Sequence, residues 1–169
     1  MNRTALIGAC AAGLLLATAA SAQPPAPPTA APPPPPAPQL IYGPNITLEQ
    51  AMQVAAGANA EAARRKMPAT IAIVDTSGAM VYFQRGANAP GTAEAFATRK
   101  AVAAVKERHP TSADQTRLQT APAATPFLPD FFPFGGGIPI VIDGKIAGAI
   151  GETGGADEDV ARAGASAVR

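Results

Sequence analysis

Phe134-Gly135-Gly136-Gly137-Ile138-Pro139-Ile140-Val141-Ile142-Asp143-Gly144-Lys145-Ile146-Ala147-Gly148-Ala149-Ile150-Gly151-Glu152-Thr153-Gly154-Gly155 carries most of the architectural information in this chain. A glycine cluster enters an apolar run, Asp143-Gly144 turns the chain, and a second apolar run ends in another glycine cluster. Asp-Gly between two apolar runs is a hairpin signal, because the tight two-residue turn needs positive φ at both positions. The stretch therefore reads as a β-hairpin with permissive glycines at its open end, where a ligand or a second subunit can approach the backbone.

The elements on either side can be read outward from it. Thr47-Leu48-Glu49-Gln50 is a capping box that starts a helix over 48–66, with Leu48, Met52, Ala55 and Ala62 at helical spacing on one face. Ala69 to Asp75 is an apolar, β-branched run, the pattern of a strand covered on both faces. Thr76-Ser77-Gly78 turns it into a second strand, Met80 to Arg85. Thr92 opens a helix reaching Arg108, with Ala97, Ala101 and Ala104 as a small-residue stripe, and His109-Pro110 stops it. Thr111-Ser112-Ala113-Asp114 is a further cap signature before a short helix to Thr120. A last helix over 156–168 opens on Asp157-Glu158-Asp159, acids that favour a helix N-terminus. The order α-β-β-α-α-β-β-α predicts a single α/β (α+β) domain, an antiparallel sheet flanked by helices, over residues 40–169.

Residues 1–22 read as a secretory signal: Arg3, the apolar run Ala5 to Ala20, and the A-x-A site Ala20-Ser21-Ala22. The apolar run is short for a membrane anchor, so no membrane insertion is expected after cleavage. Cys10 lies ahead of most of that run, whereas a lipid-acceptor cysteine follows one. Residues 23–39 form a proline-rich linker, with ten prolines between Gln23 and Pro38. The expected location is exported, periplasmic or secreted. Losing Arg3 from 13 basic residues makes the count level with the 12 acidic ones, which leaves no footprint for nucleic acid. The only cysteine leaves with the signal, so disulfides, thiolate metal sites and cysteine nucleophiles are all excluded.

Several pieces together resemble one family. Ile73-Val74-Asp75-Thr76-Ser77-Gly78 with Phe83-Gln84-Arg85-Gly86-Ala87 is similar to the first hairpin of the GlcG/HbpS-like proteins. Arg99-Lys100-Ala101 and Arg108-His109-Pro110-Thr111 resemble their second helix and its exit. Gly136 to Ile140, Asp143-Gly144, Gly148 to Gly151 and Thr153 to Gly155 resemble their second hairpin, and Asp157 to Gly164 their last helix. The resemblance implies a sheet of about five antiparallel strands, assembly into homo-oligomers, and haem as the cofactor bound by some members. One exported member feeds an envelope sensor, and the C-terminal domain of a class of corrinoid adenosyltransferases is similar. One departure stands out: Glu152-Thr153 occupies the place where relatives carry an apolar residue and a serine.

Each candidate residue has two readings. His109, the single imidazole, suits an axial haem ligand or a helix C-terminus that favours positive charge. Tyr82 is an alternative ring ligand. Lys100 and Arg99 suit carboxylates such as haem propionates, or a solvated helix face. Gly135, Gly136, Gly137 and Gly154, with Glu152 and Thr153, either present backbone N–H groups to a ligand or supply unusual loop angles. Phe127, Phe131, Phe132 and Phe134 line an apolar pocket or a subunit contact. Asp75 is a base or a turn former. Asp157, Glu158 and Asp159 read as a surface metal site or as caps of their helix, and the caps are favoured because consecutive helical positions point different ways. No Ser-His-Asp set, HExxH or Walker loop is present, so no catalytic residue and no metal site is assigned. Three functions follow: an exported small-ligand-binding protein, most naturally for haem; an enzyme acting on a small carboxylate or degrading haem; or an interaction module for an envelope sensor or transport protein.

Overall fold

A computed structural model describes residues 39–123 and 129–169. Its helices are α1 (Leu48–Arg64), α2 (Ala93–Glu107), α3 (Ser112–Thr120) and α4 (Asp157–Ala165). Its strands are β1 (Thr70–Asp75), β2 (Met80–Gln84), β3 (Gly137–Ile142) and β4 (Lys145–Thr153). The order is the one expected from sequence. The strands pair antiparallel in the order β2-β1-β4-β3. The sheet thus has four strands where the resemblance implied about five. The remaining pairing is a single bridge between Tyr42 and Ile146, with Gly43 N–H donating to the Ile146 carbonyl. The signal, Cys10, the linker up to 38, and Phe127 lie outside the described residues.

The two hairpins turn by different local chemistry. Asp143 at φ 50° and Gly144 at φ 74° form the tight turn between β3 and β4. Asp75 closes the β1–β2 turn instead, because its Oδ1 accepts from Ser77 N–H (2.8 Å), Ser77 Oγ–H (2.6 Å) and Ala79 N–H (3.0 Å). Those bonds, the Ser77 hydroxyl first, hold its carboxyl below the usual carboxylate range. Asp75 is therefore committed to the turn and not free as a base.

The sheet is covered on both faces. One layer is α1 and α4, packed through Ala51, Val54, Ala58, Val160 and Ala161 onto Ile71, Ile73, Ile138, Ile140 and Ile150. The other is α2, whose Ala101, Ala104 and Val105 meet Val74, Ile146 and Ala149. Alternation along β1 assigns Ile71 and Ile73 to the first layer and Val74 to the second. The capping box forms, with Thr47 Oγ1 accepting from Gln50 N–H and Gln50 Oε1 from Thr47 N–H. The buried face of α1 differs from the expected one: Leu48 and Met52 are exposed, and the core stripe is Ala51, Val54, Ala55, Ala58 and Ala62. Small residues win there because α1 lies close against α4; a Cβ on Gly57 would come within 2.9 Å of Ala167 Cβ.

Pro139 lies inside edge strand β3 without loss of a ladder bond. Glu152 N–H donates to the Gly136 carbonyl, so alternation along the antiparallel ladder points the Pro139 nitrogen away from β4. Proline on the outer side of an edge strand also discourages pairing with another chain.

Candidate functional site

The two glycine clusters of the β3–β4 hairpin come together where α2 crosses the sheet. Gly137 and Gly151 are register partners. A Cβ on Gly137 would lie 2.3 Å from the Lys100 carbonyl oxygen, and one on Gly151 would lie 1.9 Å from that of Ala97. Only glycine lets the α2 backbone come this close, and Ala97 and Ala101 complete the contact from the helix side. These glycines serve packing.

Their N–H groups are also taken. Gly136 N–H donates to Glu158 Oε2 (3.1 Å) and Gly137 N–H to Thr111 Oγ1 (2.9 Å). Gly154 and Gly155 N–H both donate to Asp157 Oδ1, at 3.0 and 2.8 Å. Gly135 lies beside Glu158, to whose Oε2 a Cβ there would come within 3.2 Å. The loops offer no open row of donors to an external anion.

Close packing brings Lys100 inward, where it is 2 % exposed. Its ammonium donates to the Glu152 carbonyl (2.8 Å), Thr153 Oγ1 (3.0 Å) and Asp157 Oδ2 (2.5 Å). An ammonium has three donors, so all are used. Burial alone would raise the Asp157 carboxyl, but the Lys100 bond and the two glycine N–H groups hold it below its ordinary value. Glu152 is different. It is 1 % exposed, neither carboxyl oxygen receives a hydrogen bond, and burial followed by the Asp157 charge pushes its pKa up to about 8, with Lys100 opposing only in part.

The acidic first turn of α4 reaches three elements. Asp157 holds Lys100 of α2. Glu158 accepts from Ser112 Oγ–H at the start of α3 (2.9 Å), from Gly136 N–H and from Arg162 (2.6 Å). Asp159 pairs with Arg65 just beyond α1 (2.9 Å). Their directions differ as the helical geometry requires. The structure thus groups Lys100, Gly136, Gly137, Glu152, Thr153 and Gly154, with Gly135 at the margin. Phe134 adjoins them through its carbonyl, which accepts from Thr111 Oγ1–H (2.7 Å). Its ring stacks with Phe96 and Phe132, and Arg99 lies 4.4 Å over the Phe132 ring.

Tyr82 and His109 lie elsewhere. Tyr82 sits on β2 on the α1 side, and its hydroxyl donates to Gln84 Oε1 (3.1 Å). His109 lies at the exit of α2, in a cavity of about 620 Å³ beside β3. The cavity has Ile138, Pro139 and Val141 on one side and Lys106, Arg108 and Arg162 among its charged lining. The His109 Nδ1–H tautomer donates to the Pro110 carbonyl (3.0 Å) and leaves Nε2 without a hydrogen-bonding partner. That nitrogen is 3.7 Å from both Glu107 Oε2 and Asp114 Oδ1. Among the described residues no cluster of three or more His, Cys, Asp or Glu side chains is arranged to hold a metal ion. Arg162 was not singled out from the sequence, although its i,i+4 spacing from Glu158 was a readable signal.

Compared with known proteins, residues 46–166 match the family described as haem degrading protein HbpS-like. The chain belongs to that family. Among solved structures, this HbpS-like domain is similar to HbpS, with 32 % identity and a TM-score of 0.68, over 78 % of this chain and 95 % of the other. A double variant of HbpS from Streptomyces reticuli gives 32 % identity and a TM-score of 0.67, over 84 % and 99 %. A haem complex of PduOC shares the fold at 23 % identity and a TM-score of 0.66, over 74 % and 96 %. A search of the curated proteins gives no match.

Proposed function

We propose that this protein is an exported, oligomeric binder of a small apolar carboxylate, with haem as the ligand and the cavity beside β3 as its place. The observation that carries the reading is the lining of that cavity: apolar residues of the β3 edge, three cations, one acid (Glu107) and the chain's single imidazole meet in one volume of about 620 Å³. That volume is in the range of small-molecule sites. Membership of a family described by haem degradation supports the choice of haem. In this reading the N-terminal 22 residues direct export and residues 23–39 tether the domain, serving an envelope sensor or transport partner.

The residues present fit haem. His109 is the cavity's one imidazole and would supply the nitrogen donor to the iron once its Nε2 turned away from the Glu107 and Asp114 carboxylates. Lys106, Arg108 and Arg162 suit the two propionates, and Ile138, Pro139 and Val141 suit the ring. Bound haem supplies a redox-active iron.

Titrating hemin into the protein while following absorbance and melting temperature tests the proposal. The expected result is a saturable spectrum at one haem per chain with a raised melting temperature. His109→Ala is expected to remove the imidazole-ligand bands. A spectrum unchanged in that variant takes His109 out of the site, and a titration that never saturates rejects haem binding altogether.

A further inference from the structure

Among the described residues, Glu152 alone has both carboxyl oxygens buried and receiving no hydrogen bond. The arrangement around it explains why. Lys100 of α2 is the nearest cation, but its three donors are spent on the Glu152 carbonyl, Thr153 and Asp157. From α4 the group facing Glu152 is Asp157, an acceptor for the proton of the neutral acid and a like charge once Glu152 ionises. The next acids of α4, Glu158 and Asp159, are bound to Arg162 and Arg65. Past the end of α1, Arg65 is held by Glu61 and Asp159. The paired segment of β1, Thr70 to Ala72, brings no titratable group. Gly154 passes directly over the carboxyl, where a Cβ would come within 2.7 Å of Oε1.

We propose that Glu152 is a proton-operated latch: neutral, it lies closed beneath the Gly154–Gly155 loop and the first turn of α4, and ionised, it drives that loop and turn open. The neutral form fits because a buried carboxylic acid carries no charge to compensate. The ionised form has no free donor within reach, the one nearby cation, Lys100, is already bound to Asp157, and Asp157 itself repels it. Of the surrounding packing, the loop is the part that can yield, because Gly155 is exposed and Gly154 and Gly155 are tied down mainly by the Asp157 carboxylate.

The direction is opposite to that of an ordinary surface acid. The folded-state pKa, about 8, lies above the ordinary 4.5, so the closed state binds the proton more tightly than the open one. Opening is therefore least at or below pH 4.5 and rises as pH climbs towards 8, by up to about tenfold per pH unit; above 8 it levels off. Nothing in this depends on which ligand the protein binds.

The test is carbon-13 NMR of the glutamate side-chain carboxyls in the labelled protein, paired with amide hydrogen exchange corrected for its intrinsic pH dependence. One carboxyl is expected to titrate several pH units above the other glutamates, and Glu152→Asp is expected to remove that signal from the glutamate set, which assigns it. Protection of the amides from Gly154 to Val160 is expected to fall in step with it, while α1 stays protected. Glu152→Gln is expected to abolish both effects. The latch is overturned if Glu152 titrates with the surface glutamates, if it titrates high while protection at 154–160 is unchanged, or if all elements lose protection equally. If the glutamine variant does not fold, the wild-type titration and exchange profiles still decide between these outcomes.

Discussion

Replacing Lys100 by alanine is expected to destabilise the protein by about 3–5 kcal/mol, the range for breaking one side of a buried ion pair. The change strands Asp157 and leaves the Glu152 carbonyl and Thr153 Oγ1 without their donor, all at a point where α2 lies hard against β4. Asp157 retains some exposure, 28 % of its side chain, so water relieves part of the penalty and places the loss towards the lower end. Urea unfolding measures it. Lys100→Met, which keeps the apolar stem, separates charge from packing: a similar loss in both variants assigns the effect to the ammonium. A loss under about 1 kcal/mol in Lys100→Ala would mean that the pair anchors nothing. The pH dependence has a definite sign as well. Asp157 is held below its ordinary 3.8, so its contribution is full above that value and lost as pH falls through the lower folded value. Lys100→Ala is expected to flatten the acid limb.

Gly151→Ala is expected to cost more than about 5 kcal/mol or to prevent folding. The added Cβ falls 1.9 Å from the Ala97 carbonyl oxygen and 2.6 Å from Ala101 N, and both are helix backbone that cannot step aside alone. Relief would require α2 to lift off the sheet, exposing Ala101, Ala104 and Val105. Gly144→Ala provides the contrast. Gly144 has nothing within 4 Å of its Cβ position and only a φ of +74° to maintain, so about 1–2 kcal/mol is expected. Melting temperatures of the two variants check the pair. Equal losses would show that backbone angle, and not the close passage of α2, accounts for the glycines of this hairpin.

The fold was legible wherever its signals are local. The capping box at Thr47, the Asp143-Gly144 turn, and the apolar run of Ala69 to Asp75 as a strand covered on both faces are each read within a few residues, and each forms. Less local signals misled. Thr92 and Thr111 stand at helix starts as expected, yet neither side chain caps its helix, and Thr111 is drawn instead to Phe134 and Gly137. The α1 face was misjudged because Leu48 and Met52 outweigh alanine on any hydropathy scale, while contact with α4 demands small side chains.

The candidate site was legible in membership but not in meaning. Lys100, Gly136, Gly137, Glu152 and Gly154 do gather at one place. Their grouping depends on bonds spanning 57 residues from Lys100 to Asp157 and 46 from Ser112 to Glu158, which no local pattern encodes. The glycines read as ligand contacts because loop freedom and close packing leave the same letter in a sequence. Glu152 had a readable clue: it follows Ile150 by two positions in a strand, so alternation turns it towards the same buried side.

The first turn of α4 also bears on synthesis. It follows every other element of the domain in chain order, and it supplies the counter-charge for Lys100, the acceptor for Ser112 and a partner for Arg65. A chain emerging from the ribosome has already made α1, α2 and both hairpins before that turn exists. Until then Lys100 has no acid to meet, and α2 can settle only by burying an ammonium whose charge is uncompensated. The turn from Asp157 to Asp159 therefore acts as a keystone for elements made before it, and a nascent chain paused just short of Asp157 is expected to be cleaved by protease more readily than the finished domain.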